Sequence, residues 1–262
     1  MLFRSRVLEI VQNPMVFRRG PLEILPCKPE LLKWLVDHPQ AAAEFWQHLG
    51  LEVSDVELIE DGYLCREGTR ALVKFHVVLD TPDMRVLYCV GELKHLLWPQ
   101  PLRAELVVVQ RYKVTRGPEG SRILLQQLEG FASAKGPTVK FAMKLGKQTA
   151  QRVVDQSMQE MSIYFAAICR LIELRPGWSI EAAPRIQEKH PHIDFASFHE
   201  MVKELSPPTN PSASDVMLTE WVEAAQAQSK GKNADVKNTV STSSTIVDVI
   251  TAPNRTASSA AR

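Results

Sequence analysis

The chain has 262 residues, 45% of them hydrophobic, and 31 basic against 30 acidic side chains, for a formal net charge of +1. That is apolar material for one substantial core with an appendage. The balance of charge argues against a nucleic-acid partner or a protein that coats acidic membranes through a large basic excess, although a local basic patch stays compatible with it.

Four cysteines, Cys27, Cys65, Cys89 and Cys169, lie far apart and form no C-x-x-C pair. This pattern fits buried thiols in a reducing compartment better than a disulfide framework or a zinc knuckle. Residues 1–12 carry Arg4, Arg6 and Glu9 and lack the apolar core of a signal peptide. No transmembrane segment is expected, since nothing approaches the ~20 apolar residues a span requires. The reading is a soluble, cytoplasmic protein.

In chain order, residues 16–25 are a short β-compatible stretch punctuated by Gly20-Pro21. Two helices are expected next. Pro29 suits the first turn of one, with Leu31, Leu32, Leu35 and Val36 apolar. Asp37-His38-Pro39 primes the other, which carries Phe45, Trp46 and Leu49 and ends at Gly50.

From 53 to 132 the pattern turns β. Residues 56–64 form one candidate strand. Residues 71–79 alternate, with Ala71, Val73, Phe75, Val77 and Leu79 on one face and Lys74, His76 and Asp80 on the other. Residues 85–93 read as the return strand, and 104–114 with 123–131 as a second hairpin around Gly117-Pro118-Glu119-Gly120.

Turn lengths suggest registers. Setting Asp80 opposite Arg85 pairs opposite charges and places Leu79, Val77 and Phe75 against Val86, Tyr88 and Val90. A five-residue loop in the second hairpin sets Val108 against Leu128, Gln110 against Gln126 and Tyr112 against Leu124.

Residues 136–174 then carry an amphipathic helical pattern through Val139, Met143, Val153, Val154, Met158, Met161, Phe165, Ile168 and Ile172. Pro137 lies near its start and Pro176-Gly177 stops it. Unbroken it would run roughly 55 Å, or roughly 42 Å if Gly146 interrupts it.

Beyond it, residues 194–205 read as a short helix N-capped by Asp194, and 214–228 as another carrying Met217, Trp221 and Val222. From 229 onward Ser, Thr, Ala and Asn dominate, and disorder is expected. The expected domains are 1–175, a helical extension 176–228 and a tail 229–262.

The order strand, two helices, antiparallel strands, long helix over about 16–174 resembles the helix-grip fold of the START-like (SRPBCC) superfamily. The resemblance rests on element order, with no diagnostic motif behind it. It implies an α+β domain in which a curved antiparallel sheet packs against a long C-terminal helix. It also implies a cavity for an apolar ligand between them, and carries over no catalytic residue. The chain after Arg175 extends past where such domains usually stop.

With the registers above, Tyr88, Glu92, Gln110, Tyr112 and Gln126 share the apolar face with valines and leucines. A polar atom buried there unpaired costs roughly 1–3 kcal/mol. These five are therefore the candidate ligand-orienting groups of an apolar pocket; alternatively Gln110 and Gln126 bond each other across the ladder.

His76 and Asp80 have the spacing of an acid–base pair, but alternation assigns them to a solvated face. His190, His192 and His199 lack the further ligands a zinc site needs, so no metal is expected. Lys140, Lys144 and Lys147, near Lys135, Arg111 and Lys113, form either an anion-binding row or the solvated side of an amphipathic helix.

There is no phosphate-binding glycine loop, no H-E-x-x-H and no G-x-S-x-G, so no cofactor is expected and no residue stands out as catalytic. Non-enzymatic binding of an apolar or amphipathic small molecule or lipid is the leading expectation. The other is a protein–protein assembly module with a filled core, self-associating through 176–228 with Trp178, Phe195, Phe198 and Trp221.

Overall fold

The computed structural model describes residues 2–25, 27–51, 53–67, 71–93, 102–116, 122–134, 147–205, 215–216 and 218–220. The chain folds as two compact units, Met1–Leu25 with Ser54–Gln159 and Pro26–Val53 with Glu160–Arg262. It is an α+β protein built on one seven-stranded antiparallel sheet and several helices.

The first unit holds helix α1 (Leu2–Gln12) and strands β1 (Val16–Leu25), β2 (Asp55–Ile59), β3 (Gly62–Glu67), β4 (Ala71–Asp80), β5 (Met84–Leu93), β6 (Leu102–Arg116) and β7 (Arg122–Ala134). The 28-residue helix α4 (Lys147–Leu174) belongs to it as far as Gln159. Strand order is β1-β7-β6-β5-β4-β3-β2, so β2 to β7 form a meander and β1 returns beside β7 at one edge.

The registers depart from the expected ones in three places. The single strand expected at 56–64 is a hairpin, with Ile59 opposite Gly62. The Asp61-Gly62 dipeptide is a turn signal that the apolar run around it concealed. A Cβ on Gly62 would collide with the Phe75 carbonyl oxygen and come within 2.8 Å of His76 Nδ1, so glycine is required by close approach.

In the β4–β5 hairpin Asp80 does face Arg85 and Leu79 faces Val86, but a bulge follows and Val77 pairs with Leu87. His76 then faces Tyr88 and Phe75 faces Cys89. One extra residue in a strand exchanges the faces of all residues beyond it. In the β6–β7 hairpin Gln110 faces Leu128 and Tyr112 faces Gln126, a shift of two residues that leaves the faces unchanged.

Residues opposite each other on an antiparallel ladder project to the same side. One side, the α1 face, carries His76, Tyr88, Val86, Glu105, Val107, Val109, Glu129 and Phe131. Val7 and Ile10 of α1 pack there on Val86, Tyr88, Val107 and Val109, with Phe3 and Val11 alongside. This helix was missed in the sequence, although Phe3, Val7, Ile10 and Val11 have the required spacing.

The other side, the α4 face, carries Phe75, Arg85, Leu87, Cys89, Leu106, Val108, Gln110, Tyr112, Gln126, Leu128 and Gly130. An added Cβ on Gly130 would lie 2.9 Å from Val154 Cγ1 and 3.0 Å from Met158 Sδ, which puts these α4 side chains directly on β7. Arg18 of β1 pairs with Asp155 of α4 at 2.5 Å.

The second unit contains α2 (Pro29–Asp37), α3 (Pro39–His48), α4 from Glu160, α5 (Pro176–Lys189) and α6 (Phe195–Lys203). Trp34 meets the Phe198 ring at 4.6 Å and the Phe195 ring at 5.3 Å, and Phe45 meets Phe198 at 5.4 Å. Phe195 and Phe198 are thus core residues, not the docking side chains that an assembly module would expose.

Pro176-Gly177 does follow the end of α4 at Leu174, and it also opens α5, where proline occupies the first turn and its missing N–H costs nothing. Asp194 caps α6, accepting from Ala196 N–H at 2.9 Å. Near the end of α4, Glu173 accepts from Lys28 N–H and from Arg170, which also grips Asp215 with two bonds of 2.8 Å. The helix read at 214–228 falls largely, and Trp221 and the tail 229–262 wholly, outside the described residues.

Candidate functional site

The two sides of the sheet treat their polar groups differently, and the difference locates the candidate site. On the α1 face every singled-out polar group is engaged. Glu105, 1% exposed, accepts from both Nε and Nη2 of Arg6, the former at 3.0 Å, and from the Tyr88 hydroxyl. Arg6 also reaches Glu9 at 2.5 Å. These bonds raise the Arg6 pKa, and burial with the Glu105 contact raises that of Tyr88.

His76 lies in the same layer, 6% exposed, with its ring stacked 4.3 Å from that of Phe3. Its Nδ1–H donates to the Asp61 carbonyl oxygen, which fixes the ring. The expected solvated face for His76 is therefore corrected. The β4 bulge carries it to the side that α1 covers, while Asp80 projects to the opposite side, so the two form no acid–base pair.

Among the five predicted ligand-orienting residues, Tyr88 and Glu92 are also on the α1 face by this register. Tyr88 is committed to Glu105, and Glu92 pairs with Arg103 at 3.0 Å. They do not share a face with the other three. The same bulge is the reason, because the expected pairing of Phe75 with Val90 ignored it.

Gln110, Tyr112 and Gln126 do lie together on the α4 face. Tyr112 and Gln126 are cross-strand partners, and Gln110 sits between Arg85 and Leu128. Gln110 and Gln126 are not partners of each other in the ladder. Gln110 is 2% exposed, and its Oε1 has no hydrogen-bond partner among the described residues. Arg85 beside it is buried as well.

Around this polar cluster the α4 face is apolar. Leu87, Val108, Leu124 and Leu128 are buried, whereas Tyr63, Val73, Phe75, Cys89 and Leu106 are half-buried. The Tyr63 and Phe75 rings stack 5.0 Å apart at 22°. Cys89 keeps some exposed surface, yet desolvation pushes its thiol up to about 12. An apolar floor, one aromatic pair and one unmatched buried acceptor at its end make a surface suited to an apolar molecule with a polar tip.

Arg85, the Tyr63–Phe75 pair and Gly130 were not singled out from sequence as site elements. Gly130 carried a usable signal, since a lone glycine within a strand marks close approach by another backbone or side chain. Arg85 was read only as the surface partner of Asp80.

Among the described residues, no three His, Cys, Asp or Glu side chains gather as a metal set. His192 Nε2 lies 3.4 Å from Gln40 Nε2, and His190 lies 3.5 Å from Glu44. The lysine row at Lys135, Lys140 and Lys144 lies outside the described residues. Among the described residues no helix is long and apolar enough to cross a membrane.

No family model matches the chain, and no curated protein matches it. Among solved structures it is similar to a conserved protein from Geobacillus kaustophilus, with 16% sequence identity and a TM-score of 0.39. That alignment covers 60% of this chain and 95% of the other. At that score the likeness carries no argument about fold or activity.

Proposed function

We propose that the α4 face of the sheet, with the Lys147–Gln159 part of α4 against it, binds an apolar or amphipathic small molecule without chemical conversion. The carrying observation is Gln110, whose buried Oε1 lacks a partner among the described residues and lies beside the apolar stretch of this face. Leaving such an acceptor empty costs about 1–3 kcal/mol. A ligand O–H or N–H placed there recovers that cost, and the half-buried part of the surface at Tyr63, Phe75 and Leu106 receives its apolar body.

The reading fits a helix-grip architecture of the START-like kind. Its support is the order of elements: β1, two helices, six meandering strands with β7 beside β1, then α4. The Gly130 contact with Val154 and Met158 supports a sheet that holds this helix closely at β7.

Native mass spectrometry of the purified full chain tests the proposal directly. A co-purifying hydrophobic compound, lost or much weakened in Gln110→Leu, is the expected result. Absence of any such compound, together with no uptake of an environment-sensitive apolar dye by the parent protein, would overturn it.

A further inference from the structure

We infer that the β1 end of the α1 face is a docking surface for a lipid bilayer bearing anionic headgroups. The register sets Leu22 beside Gln127 and Arg111, and Ile24 beside Leu125 and Lys113, all on this one side. Leu22 is 63% and Ile24 64% exposed, the highest values among the large hydrophobic side chains of the described residues. Helix α1 packs on Val86, Val107 and Val109 instead, so these two aliphatic side chains face solvent.

The charge beside them is positive. Arg19 and Arg111 converge on the single carboxylate of Glu129, at 2.6 and 3.5 Å. Two guanidinium groups against one carboxylate leave a net positive charge. Lys113 is exposed and has no ion-pair partner among the described residues. Gln127 between them donates to the Gly20 carbonyl and adds no charge. Of the acids nearby, Glu23 lies between Leu22 and Ile24 but projects to the α4 face, and Asp83, in the turn before β5, accepts from the Thr81 hydroxyl.

Aliphatic side chains among cations match an interface that is oily below and anionic above. Two alternatives fit less well. β1 is an edge strand, but its ladder is interrupted between Arg19 and Leu22 at Gly20-Pro21, which blunts it against addition of a strand from a second copy. Single-stranded nucleic acid wants a run of aromatic stacking platforms; this side offers one exposed ring, Phe17, which packs on Phe131 under Arg19, and Leu22 and Ile24 offer none.

Sedimentation of the full chain with vesicles decides the matter. The protein should pellet with phosphatidylcholine vesicles that contain phosphatidylserine and stay in solution with phosphatidylcholine alone. Lys113→Glu changes the charge by two units and should lower the partition about twenty-five-fold, at roughly fivefold per charge. Ile24→Ser should lower it about tenfold through lost insertion.

Both positions are exposed, and unchanged thermal unfolding will verify that the variants fold. No pelleting with anionic vesicles, equal pelleting with both compositions, or insensitivity to both substitutions would overturn the inference. So would binding of a labelled oligonucleotide that Lys113→Glu abolishes and Ile24→Ser leaves intact. None of these substitutions touches Gln110, so the outcome is independent of the small-molecule site.

Discussion

The two sides of one sheet solve the same problem in opposite ways. On the α1 face, buried Glu105 is matched by Arg6 and Tyr88, and His76 is held by Asp61 and stacked under Phe3. On the α4 face, Gln110 is buried as deeply as any of them, yet its carbonyl oxygen lacks a partner among the described residues. Complete pairing marks a side that the protein itself closes. On the proposed reading the unmatched acceptor is kept for a ligand, because a fold otherwise gains by removing such a group.

The largest test of this contrast removes Arg6. Arg6→Ala strands the Glu105 carboxylate in the core and should cost about 3–5 kcal/mol in urea unfolding. The combined Arg6→Met, Glu105→Leu and Tyr88→Phe variant should recover most of that loss, since it removes the carboxylate together with these two donors. A small loss in Arg6→Ala would mean that water already reaches Glu105 and that the α1 face is not closed.

Next in size is Gly130, where the α4 face touches its helix. Gly130→Ala puts a methyl against the stiff Val154 side chain and should destabilise by about 1–3 kcal/mol. Val154→Ala in the same background should relieve part of this, and a double-mutant cycle measures the coupling. Simple additivity would sink the close contact.

Gln110→Leu should have the reverse sign. It deletes the unmatched acceptor and should stabilise the ligand-free protein by about 1 kcal/mol in the same urea assay. A variant that is more stable and binds worse separates a site residue from a structural one. Destabilisation would place Gln110 with the fully paired groups instead.

The last test, which shows only at alkaline pH, concerns Cys89 on the α4 face. Its thiol is raised from 9.0 to about 12, so the folded protein holds a proton that the unfolded chain releases between those values. Stability should therefore fall as pH rises from 9 toward 12, less so in Cys89→Val. Alkylation by iodoacetamide should likewise be slow at pH 8 and climb steadily with pH. Fast alkylation at pH 8 would show that water enters this face freely.

Much of the local structure was legible in the residues. Pro29 and Pro39 mark the starts of α2 and α3, Asp194 marks that of α6, and the alternation of 71–79 marks a strand. These signals act within a few residues, through a missing N–H, a side-chain cap or the two-residue period of a strand. The candidate site was only partly legible. Gln110, Tyr112 and Gln126 share a face because a two-residue error in register leaves faces alone, whereas Tyr88 and Glu92 were misassigned by a single bulged residue.

The sequence by itself determined most of the strands and helices, though not α1, α5 or the β2–β3 turn, and which side chains are apolar, because those properties are local. Only tertiary structure decided which face α1 would cover, that His76 would be buried and that the Gln110 Oε1 would lack a partner among the described residues. Each of these depends on what a residue distant in the chain brings to the sheet, and a one-residue bulge is enough to exchange solvent for core.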